Sequence, residues 1–109
     1  MEHKNIVATI YIKNGKAVKS PDDLSDPRDV MQLANGYNDS GVDKIFLIDL
    51  SDDEAEHMTN MMAIRNINRS IDVKTAGGGN IKRLDDIKLF FYAGCLEVIL
   101  NGGKPETID

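Results

Sequence analysis

The chain has 109 residues, 41% apolar and 28% charged, with thirteen Lys and Arg against eighteen Asp and Glu for a net charge of −5. This is enough for one domain, which at this size buries roughly two-thirds of the surface its unfolded form exposes. The acid excess argues against a nucleic-acid partner, which needs clustered Lys and Arg on its phosphates, and no apolar run approaches the ~20 residues of a membrane span.

The N-terminus carries no signal-peptide pattern, so a soluble, unexported, cytoplasmic protein with no membrane partner is expected. Cys95 is the one cysteine. No intrachain disulfide can form, a reducing compartment fits, and the thiol is expected to be buried and inert, because no neighbouring His or helix start activates it.

Ile6 to Ile12 reads as a β-branched strand, and Asn14-Gly15 is a turn that sends Lys16-Ala17-Val18-Lys19 back as a short ribbon. Ser20 to Ser25 is polar loop. Asp26-Pro27 has the form of an N-cap followed by Pro at the first helical position, and Val30, Leu33, Ala34 and Tyr37 repeat at helical spacing up to Gly41, a C-terminal stop.

Lys44 to Leu50 is a nearly continuous apolar run, the pattern of a parallel strand buried on both faces. After Ser51-Asp52-Asp53 a second helix carries acids in its first turn and Met58, Met61 and Met62 on its inner face as core filler. Asp72 to Ala76 is the third apolar strand. Gly77-Gly78-Gly79-Asn80 then turns into a third helix with Leu84, Ile87, Phe90 and Phe91, stopped at Gly94. Glu97 to Asn101 is the fourth apolar strand, and Gly102-Gly103-Lys104-Pro105 opens a fourth helix. His3 and His57 read as surface residues.

The resulting β-α-β-α-β-α-β order predicts an α/β fold with a parallel sheet and right-handed crossovers. An internal repeat agrees with it: a shift of 53 residues lays Ser40-Gly41-Val42-Asp43-Lys44-Ile45-Phe46-Leu47 over Ala93-Gly94-Cys95-Leu96-Glu97-Val98-Ile99-Leu100.

In parallel βα folds, ligands bind beyond the carboxyl ends of the strands. The residues placed there are Tyr11, Lys13 and Lys19; Asp49 and Ser51; Gly77 to Asn80; and Asn101, Gly102 and Gly103. Successive glycines let backbone N–H groups approach an anion, and a helix start adds its dipole, which suits phosphate. The same glycines also fit a tight turn with no ligand. Lys19 offers a charge from the first loop or is simply a solvated lysine. Asp49, ending an apolar strand, is either functional or a capping or salt-bridging carboxylate. No metal-ligand spacing and no Ser/His/Asp arrangement is present, and no cofactor is implied.

The stretch Ile6-Val7-Ala8-Thr9-Ile10-Tyr11-Ile12-Lys13-Asn14-Gly15-Lys16-Ala17-Val18-Lys19 resembles the first strand and loop of the histidine-biosynthesis (βα)8 barrels, the phosphoribosyl isomerase and the cyclase subunit of imidazole glycerol phosphate synthase. In order, Ser40-Gly41-Val42-Asp43 before Ile45 to Leu50, Gly78-Gly79-Asn80-Ile81-Lys82 with Leu84-Asp85-Asp86, and Ala93-Gly94-Cys95 extend the likeness. It covers nearly the whole chain but only the N-terminal half of that family's barrel. A full barrel takes ~250 residues, so residues 1–109 are expected to form one (βα)4-type half-barrel with its last helix missing or truncated.

The resemblance implies that the glycine loop and Asn101-Gly102 hold one phosphate of a bis-phosphorylated ribose, that Lys19 lies in a mobile first loop, and that Asp49 matches an acidic residue ending the second barrel strand. Three departures accompany it. Tyr11 stands where the family has its general acid/base Asp, and a phenol with an ordinary pKa near 10 is a poor proton carrier near neutrality. The family's Gly-Gly-Gly falls on Gly78-Gly79-Asn80 or, with one insertion, on Gly77 to Gly79. Gly102 replaces the usual Thr.

Three functions follow from these readings. The chain is a phosphate-binding or ribose-phosphate-binding half-barrel, catalytically impaired alone and part of a longer or fused histidine-pathway protein. Alternatively it is a working isomerase or cyclase fragment that needs the missing half, or a non-enzymatic βα scaffold. A four-stranded half-barrel leaves open edges and an apolar inner face, so a homo-oligomer or the missing barrel half is the expected partner.

Overall fold

The computed structural model describes residues 5–100. The first strand, β1 (Val7–Lys13), turns through Asn14 and Gly15, both with positive φ, into β2 (Lys16–Val18), and the two pair antiparallel with Tyr11 opposite Val18. The ribbon is closed from outside: Ala17 and Arg28 exchange backbone hydrogen bonds of 2.9 and 2.8 Å.

That bridge moves the start of the first helix. Asp26 has φ +56° and Arg28 is held in extended pairing, so neither residue can enter a helix, and Asp26-Pro27 is not the cap that its pattern suggests. Helix α1 (Val30–Ser40) begins three residues later, with Asp29 as N-cap accepting from the amides of Met31 and Gln32, and ends at Gly41 with φ +82°.

β3 (Lys44–Asp49), α2 (Glu54–Ser70), β4 (Lys74–Gly78), α3 (Leu84–Tyr92) and β5 (Glu97–Ile99) complete the described chain. The third apolar strand therefore lies two residues further on than Asp72–Ala76, and Gly77 and Gly78 are strand residues rather than turn. The sheet order is β2-β1-β3-β4-β5, with β1, β3, β4 and β5 parallel. Helices pack on one face, where Ile10, Ile12, Ile45, Leu47, Ile64, Ile67 and Phe90 form the core. This is the architecture of half a (βα)8 barrel.

β3 corrects the expectation of a strand buried on both faces. Its burial alternates: Ile45, Leu47 and Asp49 are buried under the helices, whereas Lys44, Phe46 and Ile48 are only half-buried. No second helix layer covers that side among the described residues. There the Lys44 ammonium reaches the Glu97 carboxylate, 2.5 Å away, across the intervening β4.

The inner face of α2 also differs from its methionine pattern. The buried stripe is His57, Asn60, Met61, Ile64 and Ile67, while Met58 and Met62 are 45% and 56% exposed. Position 58 lies about 100° around the helix from 57, so once His57 faces the core, Met58 cannot. On α3 only Phe90 of the expected apolar set is fully buried; Leu84 and Phe91 are exposed. Gly94, with φ +104°, follows that helix as Gly41 follows α1. Cys95 is buried, and burial pushes its thiol up against smaller opposing hydrogen bonds from Thr75 and Asn68. No helix among the described residues is long and apolar enough to cross a membrane.

Candidate functional site

The carboxyl ends of β3 and β4 lie side by side, Ile48 opposite Gly78, and the turns that follow are tied together. Strand pairing ends at Gly78, and Gly79 (φ +89°) and Asn80 (φ +50°) then adopt left-handed conformations. Glycine is required at 79 because a Cβ would overlap the backbone of Asp49. The Asn80 amide donates to the Ser51 carbonyl and lies 3.0 Å from the Ser51 hydroxyl. Gly77 has a different purpose: a Cβ there would run into the Phe90 ring, so its lack of a side chain lets α3 pack against the sheet.

Below this junction is a buried polar cluster. Asp49 points to the helix side. Its Oδ1 accepts from the Ser51 amide (3.0 Å) and the Asn60 side chain (2.6 Å), and its Oδ2 lies 2.5 Å from Nδ1 of His57. Asn60 also donates to the Ile12 carbonyl (3.0 Å) and accepts from the Gly15 amide (2.7 Å), joining the first ribbon to the cluster. On the far side of the imidazole, Nε2 lies 3.6 Å from Oδ1 of Asp86. The other oxygen of Asp86 accepts from the amides of Lys82 (2.9 Å) and Arg83 (3.1 Å), which fixes the entry to α3. Burial would raise the Asp86 pKa, but these two amides and the charges of His57 and Arg83 outweigh it and hold the carboxyl below the ordinary range.

Two clefts flank the junction. One, of about 290 Å³, is lined by Ser51, His57, Asn80, Lys82, Arg83 and Asp86 together with the acids at the start of α2. The other, of about 310 Å³, has Lys13, Asp49, Ser51, Gly79 and Asn80 on its walls. Lys13 is bound to Asp52 (2.6 Å) and Glu56 (3.0 Å), whose hydrogen bonds hold its ammonium above the ordinary lysine range.

The structure brings Asp49, Ser51, Gly79 and Asn80 together, with Lys13 as the nearby cation. Lys19 is exposed and lines neither cleft. Tyr11 belongs to the other face of the sheet: it is paired with Ile48 and alternates with Ile10 and Ile12, which face the helices, so it does not meet the Asp49 carboxylate. Asn101, Gly102, Gly103, His3 and the expected fourth helix lie outside the described residues.

His57 overturns its surface reading. It is 5% exposed, and sequence reasoning missed it along with Asn60 and Asp86. The available signal was the spacing of His57, Asn60, Met61 and Ile64, a helical stripe that begins with polar residues. Among the described residues, no group of three or more His, Cys, Asp or Glu could hold a metal ion.

Residues 5–107 match the family model described as "Histidine biosynthesis protein". Similar proteins include the imidazole glycerol phosphate synthase subunit HisF of Helicobacter hepaticus, 29% identical over 97% of this chain, and that of Flavobacterium psychrophilum, 30% identical over the same share. The HisF of Trichormus variabilis is 29% identical over 100% of the chain. In each case the chain spans 44% of the relative's length.

Proposed function

Because the chain belongs to the histidine biosynthesis protein family, we infer that it is a half-barrel of that family which binds phosphate or a ribose phosphate where β4 turns into α3. The observation that carries this reading is the left-handed pair Gly79-Asn80, which leaves the carboxyl end of a parallel strand and runs toward a helix N-terminus beside an open cleft. Such a turn exposes backbone N–H groups, and the helix dipole adds a favourable field for an anion. Asn101-Gly102, by the resemblance, would supply the adjoining part of the same site.

The half-barrel by itself is catalytically impaired. Tyr11 occupies the position where the family resemblance calls for a carboxylate, and a phenol does not exchange protons efficiently near neutrality. The chain functions as part of a longer or fused histidine-pathway protein or with a second copy, which would cover the half-buried face carrying Lys44, Phe46 and Ile48.

Titration with inorganic phosphate, followed by amide NMR, tests the binding site. Shifts centred on Gly78, Gly79 and Asn101 are expected; unchanged resonances at all three refute it. In a complete barrel, isomerase turnover with Tyr11 in place, equal to that of a Tyr11→Asp variant, would refute the impairment.

A further inference from the structure

His57 stands between two buried carboxylates that come from different βα turns. Each carboxylate uses one oxygen on its own turn, Asp49 on the Ser51 amide and Asp86 on the amides of Lys82 and Arg83. Each directs its other oxygen at the imidazole, Asp49 at Nδ1 and Asp86 at Nε2. The ring therefore spans the β3–α2 and β4–α3 turns directly beneath the contact between Asn80 and Ser51.

Only an imidazolium carries a proton on both nitrogens; a neutral ring presents a lone pair to one of the two carboxylates. Nε2 is buried and has no hydrogen-bond partner among the described residues, so no other group compensates that end of the ring. The remaining charges near it are Asp53 and Glu54 at the start of its own helix, Asp52 before them, and Lys82 and Arg83 in the opposite turn, all of them exposed.

We propose that His57 is a positioning residue for the anion site, its imidazole clamping Asp49 and Asp86 when both ring nitrogens carry protons, so that the turn from Gly79 to Arg83 is held in its binding geometry. This rests on the phosphate-binding reading and adds to it a specific dependence on pH: affinity falls when the ring loses its proton and the clamp opens at one end. A purely structural histidine would lower stability on replacement without imposing a pH slope on anion binding.

Sulfate is the suitable probe, because its charge is constant between about pH 5.5 and 8, where histidine changes charge. Binding to the 109-residue chain is followed through the amides of Gly78 and Gly79. Wild-type affinity is expected to fall about fivefold across that range, the low end of coupling between sites. His57→Gln should bind more weakly at low pH and lose the slope. Asp86→Asn, which keeps the imidazole and an oxygen for the amides of Lys82 and Arg83, should also flatten the slope, and it carries the test if His57→Gln does not fold. Sulfate shifts in the wild type with no pH slope, or a slope that survives in the folded variants, overturn the clamp alone. An absence of sulfate shifts in the wild type at every pH overturns the anion site and the clamp together.

Discussion

Gly79 and Asp49 meet backbone to backbone: a Cβ on Gly79 would overlap the Asp49 carbonyl oxygen and come within 2.9 Å of its nitrogen. The turn after β4 is thus seated on the end of β3, and the proposed anion site and the buried cluster are two sides of one contact.

Gly79→Ala should therefore cost at least about 2 kcal/mol, because left-handed backbone strain adds to a collision with main chain that cannot move aside. Gly41→Ala is the control. Gly41 has a similar φ of +82° but nothing within 4 Å of an added Cβ, so only the strain of about 1 kcal/mol applies. Urea unfolding of both variants checks the difference; equal losses would show that the close approach to Asp49 contributes nothing.

Asn60→Ala should destabilise by roughly 2–4 kcal/mol. The fully buried side chain serves the Gly15 amide, the Ile12 carbonyl and the Asp49 carboxylate, and its removal leaves all three without that partner. A loss below about 1 kcal/mol in the same unfolding experiment would mean that the cavity admits water to replace it.

Asp86 makes stability depend on acid. Its folded-state pKa lies below the ordinary value of 3.8, so the stabilisation is present above that value and is lost as pH falls toward and through the folded-state pKa. The wild type should lose stability more steeply than Asp86→Asn below about pH 4, while the variant is less stable at neutrality. Thermal melts at stepped pH read both; parallel curves would contradict the assignment.

The sheet face opposite the helices, which no helix covers among the described residues, should associate. Size-exclusion chromatography with light scattering is expected to give a dimer or larger species at micromolar concentration, and Phe46→Glu should shift it to monomer without disturbing the helix-side core. A wild-type monomer at that concentration would count against a partner-requiring half-barrel.

Local pattern made most of the elements legible. Asn14-Gly15 specified the first ribbon through turn chemistry, Gly41 and Gly94 marked helix ends, and the repeat that laid Lys44 over Glu97 anticipated equivalent places in two strands, now joined by an ion pair. The family resemblance was equally readable, because it resides in short ordered motifs.

Other features depended on contacts that local spacing does not encode. The cap of α1 moved from Asp26 to Asp29 because a distant strand residue, Ala17, engages the backbone of Arg28. Gly77 proved to be a packing position because Phe90 lies against it. His57, Asn60 and Asp86 look like ordinary surface residues by polarity alone, since hydropathy registers their polarity but not the partners that satisfy it. Composition and periodicity settle which segments become strands and helices, because those preferences are local. Which polar side chains are buried is settled by the fold alone, because a buried carboxylate, amide or imidazole is tolerable only where tertiary packing delivers its hydrogen-bonding partner.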